Sequence, residues 1–497
     1  MRNSRWTWPC AKHGQRLEDA LSPQPLYAQG HGRDLARIGA AANLPFVSSA
    51  LQFWRLVALG ALALNWAACA GSGLAPSSGP QTLTPQPTAA PTSVALVTAQ
   101  ALPTPTPIGE PADERPLLLV HYMPWYQTPS VSGAWGWHWT MEHFNPNNVG
   151  ADGRAEIASH LYPLTGPYDS RDADVLAYQV ALMKLSGIDG VIVDWYGFEP
   201  YRDYALLNAG THKLFEAVTR AGLLFAICFE DRSIGARVSD GLVRPSRALA
   251  EGREVMAYIG EKWMSSPNYL KREGRPVLFV FGNPPYFDTT EDWEDLLAEV
   301  EPKPWLVTED DPVSEAEPAR YPWPPMGLAQ GGVLTRAALD RYLTDFYAGT
   351  AADPLRVAGA FPGFQDIYAE AGVGSSYGYL DPEAGGTLQY TLDLALASNP
   401  DLVQLVTWND YGEGTSLEPT REVGYRYLEI IQEARRVGFD PDLAYTPEDL
   451  TLPLQWLALR RDRRANLSAQ AALDAVYGAL VGGELDLARA LLTERSP

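Results

Sequence analysis

The feature that most constrains this chain is a series of eight short apolar runs. They are LLLVHYM from Leu117, IDGVIVDWY from Ile188, LLFAICF from Leu223, PVLFVFG from Pro276, WLVTE from Trp305, MGLA from Met326, RVAGAFP from Arg356 and LVQLVTW from Leu402. Several are continuously apolar, as expected of parallel strands buried on both faces rather than half-exposed antiparallel ones. Helical patterns fill most of the gaps, among them VLAYQVALMKLSG, HKLFEAVTRAG, EDWEDLLAEV and TLQYTLDLALAS. Eight strands with intervening helices predict an α/β fold, a (β/α)8 TIM barrel over residues 115–438. The amphipathic stretch REVGYRYLEIIQEARRVG closes the ring, and residues 439–497 read as a small C-terminal helical appendage.

The segment before the barrel has a different character. Residues 1–70 form an N-terminal extension that ends in a signal-like stretch, Arg55 followed by an apolar core from Leu56 to Leu64 and then Ala67, Ala68 and Cys69. An apolar core of this length is too short to span a bilayer and suits a secretory signal. WAAC resembles a bacterial lipoprotein box, which implies lipidation at Cys69, although Trp66 stands where Leu is usual. Residues 71–114, rich in Pro, Thr and Ser and almost uncharged, predict an extended linker. Together these predict an extracytoplasmic protein, secreted or held at the membrane through its N-terminal anchor only.

Charge and cysteine usage narrow the partners. Sixty acidic against 38 basic residues give a formal charge of -22, which repels nucleic acid and favours a neutral substrate. The three cysteines, Cys10, Cys69 and Cys228, have neither disulfide nor zinc spacing, and Cys228 in LLFAICF reads as a buried small hydrophobe. The run Glu309, Asp310, Asp311 lacks the alternation of a calcium loop and reads as a solvated acidic loop. No metal and no cofactor is expected.

In such a barrel, catalytic side chains project from the C-terminal strand ends. There the sequence has His121, Tyr122, Trp125 and Tyr126, then Asp194, Trp195 and Tyr196, then Glu230, Asp231 and Arg232, and finally Trp408, Asn409, Asp410 and Glu413. Acetal cleavage needs a proton donor at the leaving oxygen and a second carboxylate, and Asp410 with Glu413 fits that pair. The competing reading is that strand-end acids merely cap the following helices. His121 and His138 are more simply core or rim residues than catalysts.

The stretches HYMPWYQTP, WGWHW, YPLTGPYDSRD, SGIDGVIVDWYG, FAICFED, REGRPVLFVFG and TWNDYGEGTSLEP resemble the ordered motifs of glycoside hydrolase family 99 and its relatives, including the family 71 α-glucanases. The resemblance implies a (β/α)8 enzyme of endo-α-mannosidase or α-glucanase type, acting on α-linked glycan or polysaccharide without a redox cofactor. It implies that Asp410 deprotonates the sugar's 2-hydroxyl and that Glu413 protonates the leaving group. It further implies that Glu230, Tyr122, Trp125, Tyr126, His138 and Trp195 surround the sugar; the strand-end reading adds Asp194, Tyr196, Asp231, Trp408 and Asn409 as substrate-binding candidates. Two positions depart from the family pattern: Asp410 stands where the endo-mannosidases have Glu, and Asp194 where many relatives have Ser. A shorter arm at Asp410 leaves retention and inversion both open. The alternatives are a catalytically degenerate carbohydrate-binding surface lipoprotein and a surface-polysaccharide assembly protein.

Overall fold

The computed structural model describes residues 115–494, apart from positions 283 and 315. The signal-like segment, Cys69 and the linker lie outside the described residues. Strands β1 (Leu117–Tyr122), β2 (Gly190–Trp195), β3 (Leu224–Phe229), β4 (Arg275–Val280), β5 (Trp305–Glu309), β6 (Ala319–Tyr321), β7 (Leu355–Ala360) and β8 (Leu402–Leu405) pair in sequence order, all parallel. β1 also pairs with β8, Leu117 opposite Leu402, so the sheet closes into an eight-stranded barrel. The predicted (β/α)8 fold is what the chain adopts.

One strand lies elsewhere than expected. Met326–Leu328 is a short 3-10 turn, and the sixth strand is Ala319–Tyr321, inside what reads as a Pro-rich approach. Three residues with Arg320 at the centre leave no apolar run to find. Tyr321 compensates from the barrel interior, its hydroxyl donating to the Val280 carbonyl at 2.8 Å.

Outside the barrel lie α1 (Ala173–Leu185), α2 (Tyr204–Arg220), α3 (Ala248–Ile259), α4 (Thr290–Leu296), α5 (Arg336–Thr350), α6 (Gly386–Ala397) and α7 (Arg426–Gly438). The side chains of Asp172, Thr289 and Thr335 cap α1, α4 and α5 by accepting backbone N–H groups. Strand alternation sorts the core into two layers: Leu119, Ile192, Ala226 and Phe279 fill the barrel, while Val120, Val193, Ile227 and Val280 meet the helices. At the bottom, Asp189 accepts from Leu118 N–H and pairs with Arg435 of α7 at 3.0 Å, joining the closing helix to the start of β2.

Three further helices follow: α8 (Leu452–Asp462), α9 (Leu467–Gly482) and α10 (Leu485–Thr493). They bury Trp456, Leu473 and Leu480 in the same outer layer that covers α1, and Arg460 of α8 pairs with Asp174 of α1 at 3.0 Å. Among the described residues no helix is long and apolar enough to cross a membrane.

Candidate active site

The turn after β8 presents two carboxylates at the C-terminal mouth of the barrel. Asp410 is fixed from its own backbone outward: its N–H donates to Thr407 Oγ1 at 2.8 Å, and its Oδ1 accepts the Glu413 N–H at 3.0 Å. The turn doubles back on the β7 loop, where Gln365 N–H donates to the Glu413 carbonyl at 2.9 Å. Gly414 makes that approach possible, since it sits at φ +69° and a Cβ there would lie 2.6 Å from the Gln365 carbonyl oxygen.

Both acids are buried, Asp410 at 5% and Glu413 at 4% exposure. Burial pushes the Asp410 carboxyl up to about 7, offset by hydrogen bonds from the N–H groups of Glu413 and Gly412 and raised again by Glu230. Glu413 is driven well above the usual carboxylate range, first by burial and then by the charges of Asp410, Asp366, Glu309 and Glu230. Among the described residues no donor reaches its carboxyl group. The two environments differ in their donors: Asp410 has backbone N–H groups that favour its ionised form, and Glu413, among the described residues, has none.

Asp194 and Glu230, at the ends of β2 and β3, join them. Burial raises Asp194 well above its ordinary value, followed by the nearby charge of Glu230, a hydrogen bond with that carboxyl, and Asp410. Arg232 approaches Glu230 at 3.6 Å and opposes these acids. Beside them Trp125 stacks on His138 at 4.1 Å, with Tyr196 at 6.2 Å and Tyr126 packed edge-on. His138 faces Asp203 at 3.9 Å, and burial lowers its pKa to about 3, so the ring is neutral.

Residues 115–304, from β1 through α4, match the model of glycosyl hydrolase family 99. The match covers the first half of the barrel. That match ends before the β8 turn that carries Asp410 and Glu413. Curated relatives are the WxcX proteins, themselves uncharacterized, of two strains of Xanthomonas campestris pv. campestris, 23% and 24% identical over 64% of this chain. The chain spans about half the length of these relatives, 49% in each case. The GH99 endo-alpha-mannosidase from Bacteroides thetaiotaomicron, in complex with bis-tris-propane, is 19% identical with a TM-score of 0.49, covering 67% of this chain and 98% of that chain. The structure of that endo-alpha-mannosidase without the compound gives 18% and 0.48, covering 67% and 99%.

Several expected site residues face elsewhere. Tyr122, Trp195 and Trp408 point into the layer between barrel and helices. The Tyr122 hydroxyl donates to Gln179 of α1 at 2.7 Å, and the Trp195 indole donates to Asn208 of α2 at 3.2 Å while stacking on Tyr258. The reason is strand alternation: His121, Asp194 and Glu230 take the inward positions, so their immediate neighbours Tyr122, Trp195 and Phe229 face out. Asp231 is a loop anchor, its Oδ2 accepting the N–H groups of Tyr286 and Phe287 at 3.0 and 2.8 Å. Asn409 is a staple: its side chain accepts from Met123 N–H and donates to the Met123 carbonyl and the Tyr168 hydroxyl.

His121 lies inside the barrel, edge-on to Trp323 at 5.0 Å, and burial lowers its pKa to about 3. That agrees with a core histidine. Cys228 is fully buried, as expected. Asp310 and Asp311 are exposed, but Glu309 takes an inward position on β5, where burial and Asp310 raise it to about 7. Sequence reasoning also missed Asp366, whose carboxylate accepts from Ser376 and the N–H groups of Tyr368 and Tyr377. It missed Glu418 as well, a carboxylate buried to 1% exposure inside the quoted motif.

Proposed function

We propose that this protein is a glycoside hydrolase that cleaves α-linked glycan or polysaccharide with the Asp410 and Glu413 pair. The observation that carries the reading is the geometry of two buried carboxylates three residues apart at the barrel mouth, Asp410 held by backbone N–H groups and Glu413 without a donor among the described residues. Glu413, holding its proton, donates it to the glycosidic oxygen as the C–O bond breaks and, on the retaining route only, afterwards takes a proton from the water that opens the intermediate. Asp410, whose carboxylate form accepts two backbone N–H groups, acts as base on the opposite side. It deprotonates either the sugar's 2-hydroxyl, whose oxygen bonds the anomeric carbon as the leaving group departs and is later displaced by water with net retention, or a water, whose oxygen bonds that carbon directly with inversion. Trp125 and Tyr196 offer ring faces to the sugar, and Asp194 and Glu230 accept from its hydroxyls.

The likeness of residues 115–304 to family 99 and the acid-rich mouth support this reading. The motif resemblance keeps α-mannoside among the substrates, and the Asp at position 410 keeps α-glucan beside it. The same proposal takes the protein to be exported and tethered through Cys69 and its Pro-rich linker.

Release of reducing ends from α-mannan and from α-1,3-glucan tests it. Wild type is expected to cut one of them and Glu413→Gln to lose about 10³-fold in rate. Binding without turnover across a broad glycan panel would instead favour a carbohydrate-binding protein.

A further inference from the structure

Beneath the catalytic turn lies a closed polar cluster centred on Glu418. Its Oε1 accepts Gln179 Nε2 of α1 at 2.9 Å, and its Oε2 accepts the hydroxyls of Tyr168 and Tyr411, each at 2.8 Å. These two tyrosines hold the residues on either side of Asp410. Tyr168 receives the Asn409 side-chain amide at 3.0 Å, and Tyr411 is itself the residue after Asp410. The Tyr126 hydroxyl closes the ring, donating to the Asn409 carbonyl at 2.8 Å and accepting the Tyr411 N–H at 3.1 Å.

We propose that Glu418 is a positioning residue: through Tyr168 and Tyr411 it clamps the backbone on both sides of Asp410 and so fixes where that carboxylate stands. It touches no part of the mouth. Its own partners come from α1, from the loop before α1 and from the β8 turn, so one side chain ties three segments that are 239 and 250 residues apart from it or lie within its own motif. A turn this constrained keeps the Gly412 and Glu413 N–H groups on Asp410. Misplacing a reacting group by about 1 Å costs on the order of 100-fold in rate. In its kinetic readout the inference rests on the hydrolase reading above.

The test compares full-length Glu418→Gln and Tyr411→Phe with wild type, and with Tyr178→Phe as a control, a neighbouring buried tyrosine whose hydroxyl has no partner among the described residues. Steady-state kinetics and a carbon-13 carboxyl titration of Asp410 are measured on each. Glu418→Gln and Tyr411→Phe are expected to lower kcat about tenfold with KM held within about twofold. The Asp410 titration should move upward as its N–H donors loosen, while Tyr178→Phe matches wild type. If kcat and the Asp410 titration are unchanged, or if kcat falls only with thermal stability while Asp410 titrates as before, the inference is overturned. If wild type cleaves no glycan, the titration alone decides. A shift then upholds the positioning role while removing the hydrolase reading, and no shift removes both.

Discussion

Glu413 and Glu418 stand five residues apart in one motif and are buried alike, yet their hydrogen-bond surroundings are opposite. Glu418 has three side-chain donors on its two oxygens; Glu413 has none among the described residues and is surrounded by other acids. A satisfied buried carboxylate is rigid and keeps its neighbours rigid. An unsatisfied one among like charges holds a proton that it can lend. Burial alone does not distinguish a catalytic acid from a structural one; the inventory of donors does.

The comparison breaks most visibly at Asp410. Asp410→Glu restores the residue common in the mannosidases but advances the carboxylate by about one methylene out of its N–H cradle, and a loss of about 100-fold in kcat is expected. A rate equal to or above wild type would mean that the turn does not fix the carboxylate. A smaller effect concerns Glu418. Burial raises it from 4.5 to about 7, against the lowering by its three donors. An acid whose folded pKa is raised stabilises the fold at low pH and loses that contribution as pH climbs from about 4.5 through 7. Replacing it with Gln, which does not titrate, should therefore improve stability relative to wild type by on the order of 2 kcal/mol more at pH 8 than at pH 5, read as the difference in Tm across that range. A pH-independent difference would show that Glu418 is not held in this way. The smallest effect is at the outward-facing Tyr122. Tyr122→Phe removes one buried hydrogen bond to Gln179 and should cost about 1 kcal/mol in a denaturant titration, leaving KM unchanged. A raised KM would return Tyr122 to the mouth.

The barrel was legible because parallel strands buried on both faces must be apolar throughout, and seven of the eight runs coincide with strands. The sixth was not, because Ala319–Tyr321 is held by its neighbours and by the Tyr321 hydroxyl rather than by apolar length. Within the site, a strand's end shows at which height a residue lies but not which way it faces. Alternation from the inward Asp194 would have turned Trp195 outward, and from His121 likewise Tyr122. Glu418 carried no such signal: a Glu before Pro reads as surface, and its burial is produced by Gln179 and Tyr168, which are distant in the chain. The Glu309 position was hidden by two exposed acids beside it.

The central claim is that Glu413 supplies the proton to the leaving group, and leaving-group dependence in Glu413→Ala tests it most directly. On whichever sugar wild type accepts, the variant should lose about 10³-fold on the natural glycan, whose leaving oxygen needs a proton. It should retain most of its rate of bond cleavage on a dinitrophenyl α-glycoside, whose leaving group does not. Equal losses on both substrates would contradict the assignment of Glu413 as the acid.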